Sequence, residues 1–130
     1  MATLTTTLTL NSTDAFSDVL NFSVTDDLAV KAPSQSLSTV IAGTGGGDTI
    51  IKTATTNTVY LFIRHTGTTD GSTGTAHQLD VEDTGNVGHA RLKANEWLFM
   101  PFSSSAGNVG IQLQTTSGSI QVEYAYWTQV

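Results

Sequence analysis

Short runs of alternating apolar and polar residues recur along the whole chain and are separated by clusters of Gly, Ser, Thr, Asn and Asp. A period of two is typical of β-strands that bury one face, because successive side chains of a strand point to opposite sides. The turn clusters come roughly every 8–12 residues, as in sandwiches and barrels. The pattern predicts a single antiparallel β-sandwich of about eight to ten short strands over residues 1–130.

The amino-acid composition also favours strands over helices. The chain contains 23 Thr and 12 Ser, whereas charged residues make up 12% of it, roughly half of the usual share in globular domains. Helices need long straight-chain residues on their exposed faces, and this chain has few of them. Thr is β-branched and keeps the exposed face of a strand polar without a charge. An all-β fold with no helix of ordinary length is therefore predicted.

The charges exclude two classes of partner. The net charge is −6, and the five Lys and Arg residues are scattered singly. Nucleic-acid binding needs clustered cations, and an anionic membrane surface would repel an acidic chain. The longest apolar runs are far shorter than the ~20 residues of a transmembrane helix. No nucleic-acid or membrane partner is expected, and the lack of cysteine excludes disulfides and thiol chemistry.

The segment 57–65 is apolar on both faces of its predicted strand. Val59, Leu61 and Ile63 point to one side, and Tyr60 and Phe62 point to the other. A strand in a two-sheet sandwich has only one core face, so the second face needs a crossing loop or a neighbouring subunit to cover it. We expect an obligate oligomer with the second face at a subunit interface.

The last two strands are predicted to form a hairpin. A two-residue turn at 117–118 pairs Leu113 with Val122 and places the apolar residues of both strands on one face. In this register Gly110 lies opposite Ala125 on the outer face. Two small residues permit the close approach of another molecule, so this pair is predicted to lie at the interface.

The first twelve residues are predicted to form an N-terminal arm or an edge strand. Leu4, Leu8 and Leu10 share one row, and a second run that follows is predicted to break at Asp26 and Asp27. An end strand can pair with its own sheet or with a neighbour's edge, because the main-chain hydrogen bonds are the same. We favour pairing within the assembly. The predicted interface as a whole comprises Leu4, Leu8, Leu10, Tyr60, Phe62, Gly110, Ala125 and Trp127.

The motifs nearest to catalytic or cofactor sites each lack an essential part. The glycine-rich segment 43–48 is predicted as a hairpin loop, and a strand follows it rather than the helix that phosphate binding needs. No serine lies in a nucleophile elbow. His65, His77 and His89 lie at separate strand ends and do not converge on one zinc ion within a subunit, although a site on an oligomer axis stays open. The acidic segment 80–83 lacks the spacing of a calcium loop. No catalytic residue, cofactor or metal is predicted.

Several segments give the chain a resemblance to small Thr/Ser-rich virion structural proteins of tailed bacteriophages. The segments are LTLNSTD (8–14), LNFSVTDDLAV (20–30), VYLFIRHTG (59–67), LKANEWLFMPF (92–102) and VEYAY (122–126). The resemblance implies a jelly-roll-like sandwich in a virus particle. One departure is Ala94-Asn95, where members of that family often have Pro-Gly.

Two hypotheses for the function follow from this resemblance. In the first, the protein is a capsid decoration or cement protein that forms a homotrimer, binds the major capsid protein or other virion proteins, and stabilises the shell. In the second, it is a tail or fibre component that binds a receptor or a carbohydrate through the loops at 43–48 and 66–75. Both place the protein in a virion after synthesis in the host cytoplasm, and neither makes it an enzyme.

Overall fold

The fold consists of antiparallel β-strands throughout. The computed structural model describes residues 1–15, 17–31, 37–43, 49–54, 57–103 and 109–130. These residues form ten strands and no helix, which confirms the all-β prediction. The strands are β1 (Ala2–Ser12), β2 (Leu20–Val30), β3 (Ser38–Ala42), β4 (Thr49–Lys52), β5 (Val59–His65), β6 (Leu79–Asp83), β7 (Gly88–Leu92), β8 (Trp97–Phe102), β9 (Ile111–Thr115) and β10 (Ile120–Thr128).

Eight of these strands form two four-stranded sheets that enclose one core, which confirms the predicted sandwich. One sheet has the order β3-β10-β5-β8, and the other has the order β4-β9-β6-β7. The pairs are nested in the sequence, because β3 pairs with β10, β4 with β9, β5 with β8 and β6 with β7. β1 and β2 form a separate two-stranded sheet.

The core lies between the inner rows of the two sheets. From β5 it receives Val59, Leu61 and Ile63, and from the opposite sheet it receives Val81 and Leu113, all at most 1% exposed. Full burial of each such side chain is worth about 1.5–3 kcal/mol. Because side chains alternate along a strand, the inner row of each strand fixes which residues lie on its outer side.

The predicted hairpin of the last two strands is wrong. β9 pairs with β4 and β6, whereas β10 pairs with β3 and β5, so the two strands belong to opposite sheets. Their apolar rows do face each other, but across the core rather than side by side, and Leu113 and Val122 are both fully buried. The predicted pair of Gly110 and Ala125 therefore does not form.

Two further strand predictions need correction. β2 runs through Asp26 and Asp27 without a break, because both carboxylates are exposed and the Thr5 hydroxyl donates a hydrogen bond of 2.6 Å to Asp27. β3 and β4 do not flank a hairpin loop, since they lie in different sheets. Of the predicted loop 43–48, residues 44–48 lie outside the described residues.

The turn between β7 and β8 depends on an asparagine in the left-handed region. Asn95 has a φ of 69°, a conformation that Asn tolerates better than most residues with a side chain. The amide of Glu96 donates to the carbonyl of Lys93 at 3.0 Å, and the Glu96 carboxylate accepts from the Lys93 amide at 2.7 Å. Asn95 therefore supplies the left-handed residue of this turn.

Gly110 allows a close approach of two backbones, and this generates a stability prediction. A Cβ at this position would overlap the carbonyl oxygen of Lys52. We expect Gly110→Ala to lower the free energy of unfolding by about 1–3 kcal/mol, because the backbone must shift. Urea denaturation measures the change.

Gly88→Ala is the matched control, because a Cβ there meets no atom within 4 Å. We expect its free energy of unfolding to stay within about 0.5 kcal/mol of the wild type. Equal stability of the two variants would contradict the close approach at Gly110.

Candidate functional site

The outer side of the sheet β3-β10-β5-β8 carries a band of aromatic residues. The residues of this band lie on β10, β5 and β8, which are neighbours in the sheet. They form three cross-strand rows: Trp127–Tyr60–Pro101, Ala125–Phe62–Phe99 and Glu123–Arg64–Trp97. We name these nine residues the outer aromatic face.

The outer aromatic face is only partly covered by the described residues of the chain. Its aromatic side chains are half-buried or exposed, and Trp97 is 54% exposed. Tyr60 and Phe99 stack, with ring centroids 6.0 Å apart and planes 11° apart. Ala125 is 1% exposed. The prediction that both faces of β5 are buried is thus confirmed for the row that faces the core. The outer row, with Tyr60 and Phe62, is only half-buried by the described residues.

A second apolar surface lies on the hairpin that β1 and β2 form. The two strands pair over eleven residues each, from Ala2 opposite Val30 to Ser12 opposite Leu20. The base of the hairpin is held to the end of β10, because Val30 is buried and bridges to Gln129. We name β1 and β2 together the arm. The first twelve residues thus pair with β2, and not with the edge of a main sheet.

The two sides of the arm differ in chemistry. On the polar side, hydroxyl groups of opposite residues form cross-strand hydrogen bonds, with distances of 2.9 Å for Thr7–Thr25 and 3.2 Å for Thr9–Ser23. Toward the tip the other side is exposed as well, with Leu10 and Phe22 each 46% exposed. The apolar side comprises Leu4, Leu8, Leu10, Leu20, Phe22, Val24 and Leu28. This side of the arm is therefore mainly apolar, and the described residues leave its outer half exposed to solvent.

The predicted interface residues fall on these two surfaces, with one exception. Gly110 lies against the backbone of β4 and has no part in either surface. The arm carries Leu4, Leu8 and Leu10, and the outer aromatic face carries Tyr60, Phe62, Ala125 and Trp127.

Sequence reasoning missed the residues that complete each surface. Phe22 and Val24 extend the arm, and Trp97 and Phe99 extend the outer aromatic face. Their alternation is visible in the sequence, but alternation alone does not say which strands are neighbours. The missing signal is the cross-strand register.

The two surfaces also differ in charge. Residues 1–30 contain four Asp and neither Lys nor Arg. One of these, Asp26, lies opposite Thr6 on the same side of the arm as Leu4, Leu8 and Leu10. The outer aromatic face carries one cation, Arg64, whose guanidinium lies 3.3 Å from the Glu123 carboxylate in a partly exposed pair.

The rings of His65 and His89 have structural partners. The buried ring of His65 accepts a hydrogen bond at Nδ1 from the Gly67 amide, so Nε2 carries the proton and donates to the carbonyl of His77, both at 2.9 Å. The Nε2 of His89 lies 3.3 Å from Asp83. Among the described residues, no three His, Cys, Asp or Glu side chains are grouped closely enough to hold a metal ion.

The loop at 66–75 is organised by one carboxylate. Asp70 accepts hydrogen bonds from the amide of Thr73 at 2.8 Å, from the amide of Ser72 at 3.0 Å and from the Ser72 hydroxyl at 3.0 Å. These bonds favour the charged form and lower the pKa of Asp70 from 3.8 to about 2. The Asp70 carboxylate thus holds the turn at residues 70–73 through hydrogen bonds within the loop.

No family model, curated protein or solved structure matches the chain significantly. Within the described ranges, no helix is long and apolar enough to cross a membrane. The outer aromatic face and the arm are therefore the features on which a function can be proposed.

The low pKa of Asp70 generates a prediction for the loop at low pH. The pKa of Asp70 is about 2 in the folded loop and 3.8 for an unperturbed carboxyl. The carboxylate therefore stabilises the folded loop fully above about pH 3.8, and this stabilisation is lost as the pH falls through about 2. We expect a carboxyl NMR titration of Asp70 with a midpoint near 2.

Asp70→Asn provides the control for this titration. An Asn side chain can accept the same amide hydrogen bonds but does not titrate, so the chemical shifts of Ser72 and Thr73 should no longer change between pH 4 and about 2. A wild-type midpoint near 3.8 would show that the amides do not bind the carboxylate.

The positions of the histidines generate a prediction for metal removal. His65 uses both ring nitrogens within the chain, so it has no free nitrogen for a metal. We expect thermal melts with and without chelator to coincide. A loss of many degrees on chelation would instead point to His77, His89 or the acidic segment 80–83 as ligands.

Proposed function

We propose that this protein is a non-enzymatic structural component of a bacteriophage particle that decorates and stabilises the capsid as a homotrimer. The observation that carries the proposal is the pair of apolar surfaces, the outer aromatic face and the apolar side of the arm, which the described residues of the chain leave partly open to solvent. Large exposed apolar patches on soluble proteins mark interaction sites. The proposed docking partner is the major capsid protein.

The strand order supports a jelly-roll version of the sandwich. A jelly roll is an eight-stranded double sheet made of two Greek keys, and it is common in viral capsid and lectin domains. Here the eight strands β3 to β10 form four nested antiparallel pairs distributed over two sheets. This is the arrangement expected when one long hairpin of strands rolls up around a core.

The proposed mechanism is mechanical. Each trimer bridges neighbouring shell subunits and adds contacts that have to break before the shell can expand. Extended strands and flat aromatic faces suit this role, because they bury apolar area against a partner without needing a deep cavity. A surface rich in Thr, with few charges, also limits repulsion between copies that sit close together.

The titratable side chains that could take part in catalysis are engaged in structural hydrogen bonds instead, which supports a non-enzymatic role. His65 holds the His77 carbonyl, and Asp70 closes its own loop. Asp80 binds the guanidinium of Arg91 through both of its carboxylate oxygens. Each of these side chains stabilises a turn or a strand pair.

One observation favours the second candidate function, a carbohydrate-binding module on a tail or fibre. A shallow depression of about 460 Å³ is lined by Phe62, Arg64, Asn95 and Trp97. Aromatic rings beside polar donors are able to stack on a sugar ring and to bind its hydroxyls. Phe62, Arg64 and Trp97 belong to the outer aromatic face, so subunit contacts and sugar binding would compete for the depression.

The number of copies per particle distinguishes these functions. Quantitative mass spectrometry of purified particles gives the ratio of this chain to the major capsid protein. Copies on the scale of the shell lattice support capsid decoration, and a few copies per particle support the tail or fibre function. Absence from the particles would contradict both.

The proposed trimer generates a prediction for the protein in solution. We expect sedimentation at micromolar concentration to show no substantial monomer for the wild type. Phe62→Lys places a charge in the middle row of the outer aromatic face, so we expect it to shift the protein toward monomer.

Gln114→Lys is the matched control, because Gln114 lies on the outer side of the other sheet, opposite Asp80. We expect it to sediment like the wild type. A monomeric wild type would contradict the proposed oligomer, and an equal effect of both substitutions would contradict the assignment of the interface to the outer aromatic face.

A further inference from the structure

We infer that His65 is a pH-sensitive switch, which holds the base of the loop at 66–75 in place while its ring is neutral and releases it when the ring is protonated. The inference goes beyond the proposed function, because it assigns a conformational response to a side chain that neither capsid decoration nor sugar binding uses. It holds or fails independently of both.

The switch is a titratable ring inside the core. His65 ends the inner row of β5, opposite Val122 of β10, and is 0% exposed. Its main chain is fixed, because its amide donates to the Glu96 carbonyl at 2.9 Å and its carbonyl accepts from the Asn95 amide at 3.1 Å. A buried charge is costly unless it is paired. A proton on this ring therefore requires a rearrangement around it, and the fixed strand directs that rearrangement to the loop.

The two hydrogen bonds of the ring fix its protonation state in the folded chain. The Gly67 amide can only donate, so Nδ1 accepts its bond of 2.9 Å and carries no proton. The His77 carbonyl can only accept, so Nε2 carries the proton and donates at 2.9 Å. Protonation at Nδ1 turns that nitrogen into a donor that faces another donor. The bond to Gly67 is then lost.

Gly67 connects the ring of His65 to both ends of the loop. Its carbonyl accepts a bond of 2.9 Å from the Thr75 amide at the far end of the loop. It has a φ of 80°, a conformation that glycine adopts without steric cost and can leave as easily. A Cβ at this position would lie 2.8 Å from the Asn95 Oδ1 atom, so the Gly67 backbone also packs on the turn before β8. A movement of the Gly67 peptide thus reaches Thr75 and Asn95 directly.

The rest of the loop is held by bonds that involve no histidine. The Gln121 amide donates to the Thr68 carbonyl at 2.8 Å, and the Asp70 carboxylate holds the turn at 70–73. The pKa of Asp70 is about 2, so this carboxylate stays charged in the range where histidine side chains titrate, at about 6.5 in model peptides. We therefore expect the release to stay local to the base of the loop, at Gly67 and Thr75.

The charged groups on the elements around His65 are bound to other partners. Arg64 and Glu123 pair with each other on the outer side of the sheet, whereas His65 faces the core. The Glu96 carboxylate accepts from a backbone amide of its own turn, as the Asp70 carboxylate does in the loop. None of these contacts brings a carboxylate to the ring.

The titratable groups of the neighbouring segment and of β6 also have other neighbours. The ring of His77 lies against the turn between β9 and β10, where a Cβ on Gly118 would lie 2.7 Å from its Nε2 atom. Asp80 binds the guanidinium of Arg91. The ion pairs of the described residues thus leave out His65. A proton on its ring has no carboxylate to compensate it while the loop stays closed.

An NMR titration of the full chain from about pH 7.5 to about pH 4, which spans the usual range of histidine, tests the switch. We expect the amide resonances of Gly67 and Thr75 to shift with the same midpoint as the ring carbons of His65. The Leu113 amide, which belongs to the core strand β9, should not follow that midpoint, because the sandwich stays folded. A ring that titrates without a change at Gly67 would overturn the inference. A His65 ring that stays neutral until the whole chain unfolds would overturn it as well.

Two variants assign the response to the His65 ring. His65→Gln keeps one acceptor and one donor group at this position but cannot be protonated, so we expect the pH response of Gly67 to be lost. His77→Gln is the matched control, because only the backbone carbonyl of His77 binds His65, and we expect it to keep the response. A Gly67 response that persists in His65→Gln, or that disappears in His77→Gln, would overturn the inference. If His65→Gln does not fold, the wild-type titration and His77→Gln still decide.

Discussion

The contact between the inner rows of the two sheets is the interaction on which the rest of the structure depends. Leu61 and Ile63 on one sheet and Val81 and Leu113 on the other are all fully buried. Because a strand has a period of two, this contact also decides what faces outward. On β5, β8 and β10 the outward rows each carry aromatic residues, so the packing that forms the core creates the outer aromatic face as well.

The positions of most strands could be predicted from alternation, but their neighbours could not. The rows of β9 and β10 satisfy alternation equally well as a hairpin or as two strands facing each other across the core. In the structure β9 pairs with β4 and β6, and β10 pairs with β3 and β5, so the partners of both strands are distant in the sequence. Likewise, Asp26 and Asp27 suggested a strand end, but an exposed strand keeps its carboxylates in water. Only part of the outer aromatic face could be predicted, because the apolar outer row of β5 is evident in the sequence. That Trp97 and Phe99 of β8 lie beside this row follows only from the register between the two strands.

The arm gives the molecule an asymmetric charge distribution. Its carboxylates have no cation within the first thirty residues, and the chain's cations lie on the sandwich. An acidic, apolar-sided arm is a poor ligand for nucleic acid or an anionic membrane. The surface around Phe62 and Trp97 is shallow and open, which suits contact with a flat partner.

Acrylamide quenching of tryptophan fluorescence shows most directly whether a neighbour covers the outer aromatic face. Both tryptophans of the chain, Trp97 and Trp127, lie on this face, and a neutral quencher is not repelled by a net charge of −6. If copies cover the face, the wild type at micromolar concentration quenches weakly, and quenching rises when the subunits are separated by dilution. Strong quenching of the wild type that is unchanged by dilution would contradict a covered face.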